Sequence, residues 1–316
     1  MVDKVLLPTY PKGRSLRSFL FITQYGFSGT AVKTIGILAK PNFPGVAATL
    51  QYLVPWLKER QKEPLLDPLI ASFSVDEHTL NLESGLVDQG DMLLVFGGDG
   101  TMLRAARLVA RHPIPILGIN VGGLGFLTEI TPDYVCLALE NVFRGDFRVE
   151  ERLMLHSRVC SRIEAVVDAV ALNDVVFSKG TLAGMVKLEI SIGGEFLTAI
   201  RGDGLIISTP TGSTGYSLSS GGPIVNPSVH AMILTPISPH MLTNRPIVVP
   251  QTEVVQVVLC SKDEGAVASF DGQSGHPLYE GDTVVVQALD TRAQFIRFPD
   301  KTFYQVLRQK LKWGES

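Results

Sequence analysis

From Lys33 onward, short apolar runs alternate with stretches of helical spacing: TIGILA, VAATLQYLVPWLKER, PLIASFS, DMLLVF, TMLRAARLVARH and IPILGIN. Continuous apolar runs read as buried strands, whereas apolar side chains three and four apart line one face of a helix. Their alternation predicts a parallel, doubly wound sheet. The amphipathic run PDYVCLALENVF closes this half near Gly145. After about Arg148 the pattern becomes period-two or continuously β-branched, in RLMLHSRV, AVVDAVAL, MVKLEISI, GLIIS, AMILTPI, RPIVVP, VVQVVL, AVASF and DTVVVQ. So many short strands separated by Gly, Pro and Asp predict a sandwich-like, β-rich second domain. The final segment, DKTFYQVLRQKLKW, places Phe303, Val306 and Leu307 on one helical face and predicts a helix that returns to the first domain. The expected division is an extension outside the fold over 1–31, an α/β domain over 32–147, a β-rich domain over 148–294 and the returning helix over 295–316.

A length of 316 residues is about twice that of a usual domain, in keeping with two. With 45% hydrophobic residues the chain has material for a large core, which excludes dominant disorder. Balanced charge, 28 Lys and Arg against 31 Asp and Glu, provides no uniform field for nucleic acid or an anionic membrane, so neither is an expected partner. Cys136, Cys160 and Cys260 form no CxxC pair, and their odd number argues against a disulfide framework and fits a reducing cytoplasm. The stretch from Pro113 to Leu127 is broken by Pro115, Asn120 and four glycines and falls short of the ~20 apolar residues of a membrane span. The apolar run at Phe19 to Ile22 is likewise shorter than the ~7–15 residues of a signal peptide. The six histidines show no HxxxH or HExxH spacing and the cysteines do not cluster, so no dedicated metal site is expected.

Two segments carry candidate chemistry. DMLLVF runs straight into Gly97-Gly98-Asp99-Gly100-Thr101, and a helical pattern follows at once. Glycines let the backbone approach a ligand, and the free N–H groups of a new helix favour an anion such as phosphate. A carboxylate there is repulsive to phosphate unless a cation bridges the two or the carboxylate takes a proton during reaction. The alternative is a tight turn with Asp99 as helix cap. No GxxxxGK[ST] loop is present, and Leu103 stands where GxGxxG requires its third glycine. Beyond the next strand, Gly122, Gly123 and Gly125 precede Phe126 and Leu127, which either face a base or fill the core.

The second segment, TPTGSTGYSLSSGGP, follows the strand GLIIS and holds a single aromatic, Tyr216, among glycines and hydroxyls. Small donors with one ring suit a nucleoside, the other reading being a linker or structural turn. Asn173-Asp174 has the side chains to hold a vicinal diol, or is an ordinary turn pair. Arg201 and Asp203 stand just before GLIIS, as cleft residues or as a plain surface ion pair.

GGDGT, GINVGGLGFLTEI, NDVVFSKG, RGDGLIISTPTGSTGYSLSSGGPIV, PHMLTNRPIVVP and SFDGQ, in this order, resemble the NAD kinases. GGDGT alone is shared with diacylglycerol-type lipid kinases, whereas TPTGSTGYS is more specific. The resemblance implies transfer of the γ-phosphoryl group of ATP to the 2′-hydroxyl of the adenosine ribose of NAD⁺, with Mg²⁺ or a similar divalent cation, in a homodimer or homotetramer. It implies Asp99 as general base, Gly100 at the ribose, Arg104 as a basic contact and Phe126 beside the cofactor. It carries Asn173 and Asp174 to the other ribose, and Arg201 and Asp203 to cofactor-facing positions, with arginine resembling the NAD-selective members. Thr211 and the stretch Thr214, Gly215, Tyr216, Ser217, Leu218 and Ser219 match the adenosine-binding segment, Gly215 replacing the usual alanine, and Gln273 matches a polar contact. Gly184 departs from relatives that carry a histidine or basic side chain. A lipid kinase and a non-catalytic dinucleotide sensor remain the rival readings of these motifs.

Overall fold

The computed structural model describes residues 32–40, 45–71, 90–112, 114–123, 125–128, 130–161, 166–180, 185–241, 243–261, 266–298 and 302–314. The expected extension over 1–31 and Gly184 lie outside them.

The first domain is built on a six-stranded sheet in the order Glu63–Leu66, Thr34–Ala39, Met92–Gly97, Ile116–Asn120, Ala293–Arg297, Arg148–Arg152. Its first four strands run parallel. The two central ones, Thr34–Ala39 and Met92–Gly97, are buried on both faces and read as nearly unbroken apolar runs. Helices Val46–Glu59 and Val135–Arg144 cover one face, burying Leu50, Leu53, Leu57, Leu139 and Val142 against Ile35, Leu94 and Leu117. Helix Asp99–Leu108 covers the other, where Met102, Leu103 and Ala106 meet Leu93, Val95 and Phe295 together with Met154 and Leu172 of the following β-rich region. That helix is therefore packed between the two halves of the molecule.

The second domain is a sandwich of two six-stranded antiparallel sheets, one with alternating buried positions and the other with central strands buried almost throughout, at Asp174–Lys179, Gly204–Ser208 and Ala231–Ile237. Leu188, Val257 and Val286 of one sheet share a core with Phe177, Leu205 and Phe270 of the other. Expectation and structure agree on an α/β domain, a β-rich sandwich and a C-terminal helix. They differ at the seams. The strands Arg148–Arg152 and Ala293–Arg297, divided by sequence between the second domain and the terminal segment, pair with each other and extend the first sheet. The strand read in PLIASFS falls earlier, at Glu63–Leu66, because Asp67 turns the chain by accepting the amides of Leu69 and, through its carbonyl, Ile70. Helix Phe303–Leu311 starts in a capping box of Thr302 and Gln305 and buries Val306 and Leu307. It meets the first domain where the Lys310 ammonium lies 5.8 Å from the Phe126 ring centre, and the second where Tyr304 accepts from Asn226. Among the described residues no helix is long and apolar enough to cross a membrane.

Candidate active site

The buried strand Met92–Gly97 delivers the chain into the glycine turn. A Cβ on Gly97 would lie 2.3 Å from the Thr101 hydroxyl oxygen, so the turn closes only around glycine. Gly98 is the N-cap in extended conformation and Asp99 is the first helical residue. The cap position thus belongs to Gly98 and not to Asp99. Its carboxylate reaches across to the next strand-helix loop, where Oδ2 accepts the Phe126 N–H and Oδ1 the Leu127 N–H, each at 3.0 Å. A Cβ on Gly125 would stand 2.3 Å from Asp99 Oδ1, which explains a glycine at that approach. Leu127 is buried and belongs to the core, while Phe126 is half-buried.

Strands Thr34–Ala39 and Met92–Gly97 are neighbours whose connections leave in opposite directions, and open α/β sheets bind ligands beyond the carboxyl ends of such a pair. A cleft of about 470 Å³ opens there, lined by Lys40, Leu69, Gly98, Gly100, Thr101, Arg104 and Gln273. Arg104 is anchored by the buried Asp67 at 3.1 Å. Two cationic side chains and a helix N-terminus make this end of the cleft attractive to anions.

Asp271 organises the opposite wall. It follows the strand Ala266–Phe270 with φ 53°, a left-handed conformation that Asp tolerates, and Gly272 continues the turn at φ 62°. The fully buried Asp271 carboxylate accepts the amides of Leu172, Asn173 and Asp174 at 3.1, 2.7 and 3.3 Å and pairs with Arg107 of the phosphate-turn helix at 2.9 Å. Gln273 accepts from Arg107 at 2.6 Å and donates to the Gly100 carbonyl at 2.7 Å. Continuous contacts thus run from Asp99 and Gly100 through Gln273, Arg107 and Asp271 to Asn173 and Asp174.

Asn173 carries the chain of contacts onward, because its carbonyl accepts the Thr209 amide at 2.8 Å. A Cβ on Gly212 would lie 2.1 Å from the same carbonyl, so the hydroxyl-rich loop requires glycine to close over the turn. Many of its hydroxyls face inward. Thr209 donates to the Leu172 carbonyl, Ser213 to Pro210, Ser217 meets Thr235 and Thr211 accepts from Arg152. Thr214 donates to the Thr211 carbonyl. Tyr216, Ser219 and the half-buried Leu218 line the outer side, with Tyr216 48% exposed. At Gly215 a Cβ would stand 3.3 Å from the Gly212 carbonyl, a contact tight for alanine but open to small adjustment.

Arg201 and Asp203 lie elsewhere in the chain. Strand Gly204–Ser208 pairs Ser208 with Asp174 and Gly204 with Ser178, so Asp203 is separated from the cleft by five residues of strand, about 17 Å. Asp203 pairs with Lys179 at 3.1 Å, not with Arg201. The Lys179 hydrogen bond holds its carboxyl below the ordinary value. Arg201 is exposed.

Burial, and then the nearby Asp271 carboxylate, raises the pKa of Asp174 to about 7. From about pH 4, where an unfolded Asp titrates, to about 7, the folded chain keeps a proton that the unfolded chain has released. Stability therefore falls as pH rises through this window and levels off above it. In Asp174→Asn this component is absent, so the variant's melting temperature should gain on that of the parent from pH 4 to 7. A constant difference across that range contradicts the assignment.

The sequence did not single out Arg107, Asp271 or Lys40. Arg107 stands one helical turn after Arg104, and Asp271 sits in the quoted SFDGQ, where Asp-Gly reads as a plain turn signal.

Residues 76–147 match the family model of the ATP-NAD kinase N-terminal domain and residues 172–298 that of the ATP-NAD kinase C-terminal domain. The NAD kinase of Geobacter sulfurreducens is 45% identical over 90% of this chain and 100% of that protein. The chain belongs to the ATP-NAD kinase family. Both halves match, which sets aside the lipid-kinase reading of GGDGT. Among solved structures of the family, yeast NADH kinase complexed with NADH is 26% identical with a TM-score of 0.82, covering 90% of this chain and 89% of that one. An NAD kinase from Archaeoglobus fulgidus in complex with ATP is also 26% identical, with a TM-score of 0.68 over 88% of this chain and 98% of that one.

Proposed function

We infer that this enzyme phosphorylates NAD⁺ at the 2′-hydroxyl of its adenosine ribose with ATP, giving NADP⁺ and ADP. One observation carries the assignment of roles: the Asp99 carboxylate stands at the switch point of the sheet, tied by Gly100 and Gln273 to the wall that presents Asn173 and Asp174. In this reading the 2′-hydroxyl gives its proton to Asp99 as its oxygen bonds to the γ-phosphorus, and the bond from that phosphorus to the β-γ bridging oxygen breaks to release ADP. Such transfer needs positioning and charge neutralisation more than covalent help. Lys40, Arg104 and the first-turn amides meet phosphate charge, Asn173 and Asp174 hold the second ribose, and the outer face at Thr214, Gly215, Tyr216, Leu218 and Ser219 receives the adenosine. Thr211 and Ser217 support that face from within.

Asp99 is the carboxylate of this turn that would face a divalent cation such as Mg²⁺ bound with ATP, and such an ion would supply neutralisation of the triphosphate charge. Among the described residues no three His, Cys, Asp or Glu side chains converge into a candidate ion cage. The free thiols of Cys136, Cys160 and Cys260 support a reducing, cytoplasmic setting. Exposed Phe196 and Leu197, on the edge strand Glu195–Gly202, support assembly with further copies of the chain into a homodimer or homotetramer.

Incubation with ATP, Mg²⁺ and NAD⁺, coupled to a dehydrogenase that uses only NADP⁺, should show NADP⁺ forming at a rate proportional to enzyme. Dinucleotide binding without NADP⁺ would identify a sensor instead.

A further inference from the structure

A second set of contacts reaches Asp99 from behind. Glu150 and Arg152, two apart on the strand Arg148–Arg152, share a face, and register sets Arg297 opposite Arg148, one diagonal from Glu150. Arg297 and Arg152 are each only 4% exposed. Glu150 Oε2 accepts Arg297 Nε at 2.8 Å and lies 3.0 Å from Arg152 Nη2, while Arg152 Nη1 donates to the Thr211 hydroxyl at 3.2 Å. The other end of Arg297 donates to the carbonyls of Leu127 at 3.0 Å and Phe126 at 3.4 Å. The Phe126 carbonyl and the Leu127 N–H belong to one planar peptide unit. That unit is held at its oxygen by Arg297 and, at its hydrogen, holds Asp99 Oδ1.

Burying two guanidiniums against a half-buried carboxylate is a poor way to gain stability, since apolar residues of similar volume often serve as well. What the buried charges do supply is direction. Burial pushes the Glu150 carboxyl up, but the Arg152 and Arg297 charges outweigh it and hold it below its ordinary value. The three groups therefore stay charged and keep the Arg297 fork aimed at the two carbonyls. We propose that Arg297, braced by Glu150 and Arg152, is a positioning residue that fixes the Phe126–Leu127 amides and through them the aim of the Asp99 carboxylate at the acceptor hydroxyl. The same brace ends on Thr211, so it ties the base to the nucleoside loop from behind.

The proposal rests on Asp99 as general base, and a double-mutant cycle separates the two claims. Arg297→Lys keeps a charge beside Glu150 but loses the planar fork. Its kcat should fall roughly 10- to 100-fold, as for a small misplacement of a reacting group, with the KM values for ATP and NAD⁺ little changed. In an Asp99→Asn background the same substitution should cost almost nothing further, because a group that acts through Asp99 has nothing left to aim. A full multiplicative loss in that background, or an unchanged kcat in the single variant, overturns the proposal while leaving the base in place. Near-parent turnover of Asp99→Asn alone overturns the base and the proposal with it. Thermal unfolding checks each variant. Should Arg297→Lys not fold, Glu150→Gln is carried through the same cycle, and failure of both to fold assigns the brace to stability alone and overturns the proposal.

Discussion

Replacing Asp99 by Asn should lower kcat by roughly 10²–10⁴-fold, the range for loss of a general base, while NAD⁺ binds nearly as before. In free energy this is about 3–5 kcal/mol of lost transition-state stabilisation. The amide is close to isosteric, so the cleft keeps its shape, but it differs in one local respect. The carboxylate accepts two amides, from Phe126 and Leu127, and an Asn side chain has one acceptor oxygen for them. About 1 kcal/mol of stability should be lost with the second bond. Calorimetry of NAD⁺ binding, steady-state turnover and thermal unfolding on one preparation separate these effects. Turnover near that of the parent would remove Asp99 from proton transfer.

The largest loss of stability is expected for Asp271→Ala. That substitution strips the half-buried Arg107 of its fully buried counter-charge and leaves three amides, at Leu172, Asn173 and Asp174, without their acceptor. Breaking one side of a buried pair costs about 3–5 kcal/mol, and the melting temperature should fall by on the order of 10 °C. Alanine also tolerates the left-handed φ of 53° less well than Asp. Because Asn173 and Asp174 hang from this carboxylate, the KM for NAD⁺ should rise in whatever fraction stays folded. A variant melting within a degree or two of the parent would show that the backbone turn holds without the side chain.

Much of the architecture was legible because its signals are local. Buried parallel strands leave unbroken apolar runs, sandwich strands leave alternation, and the glycine turn announces a helix start. Which sheet a strand joins is not local information. Arg148–Arg152, RVEER, has a single apolar residue and no alternation to mark a core face, and its partner Ala293–Arg297 lies more than a hundred residues on. The site divides in the same way. Asp99, Gly100, Asn173, Asp174 and Gln273 stand in motifs whose residue types point to their surroundings, and the structure brings them into one set of contacts. Arg201 and Asp203 precede a strand whose far end meets the cleft, and nearness in sequence to the strand gave no sign of which end they occupy. A serine or threonine in sequence likewise carries no direction, and Thr209, Ser213 and Ser217 turn their hydroxyls to the protein's own carbonyls and side chains. Asp271 and Arg297 escaped notice because one looks like an ordinary Asp-Gly turn and the other like a polar position on a strand.

The first sheet closes with a strand that follows the whole sandwich in sequence. On the ribosome, Ile116–Asn120 consequently has an unpaired edge, and Arg148–Arg152 no neighbour at all, until the whole sandwich has been synthesised and Ala293–Arg297 emerges. The nascent first half thus exposes a template for wrong pairing while the sandwich is being made, and a chaperone that shields that edge would be of greatest use before residues 293–297 appear.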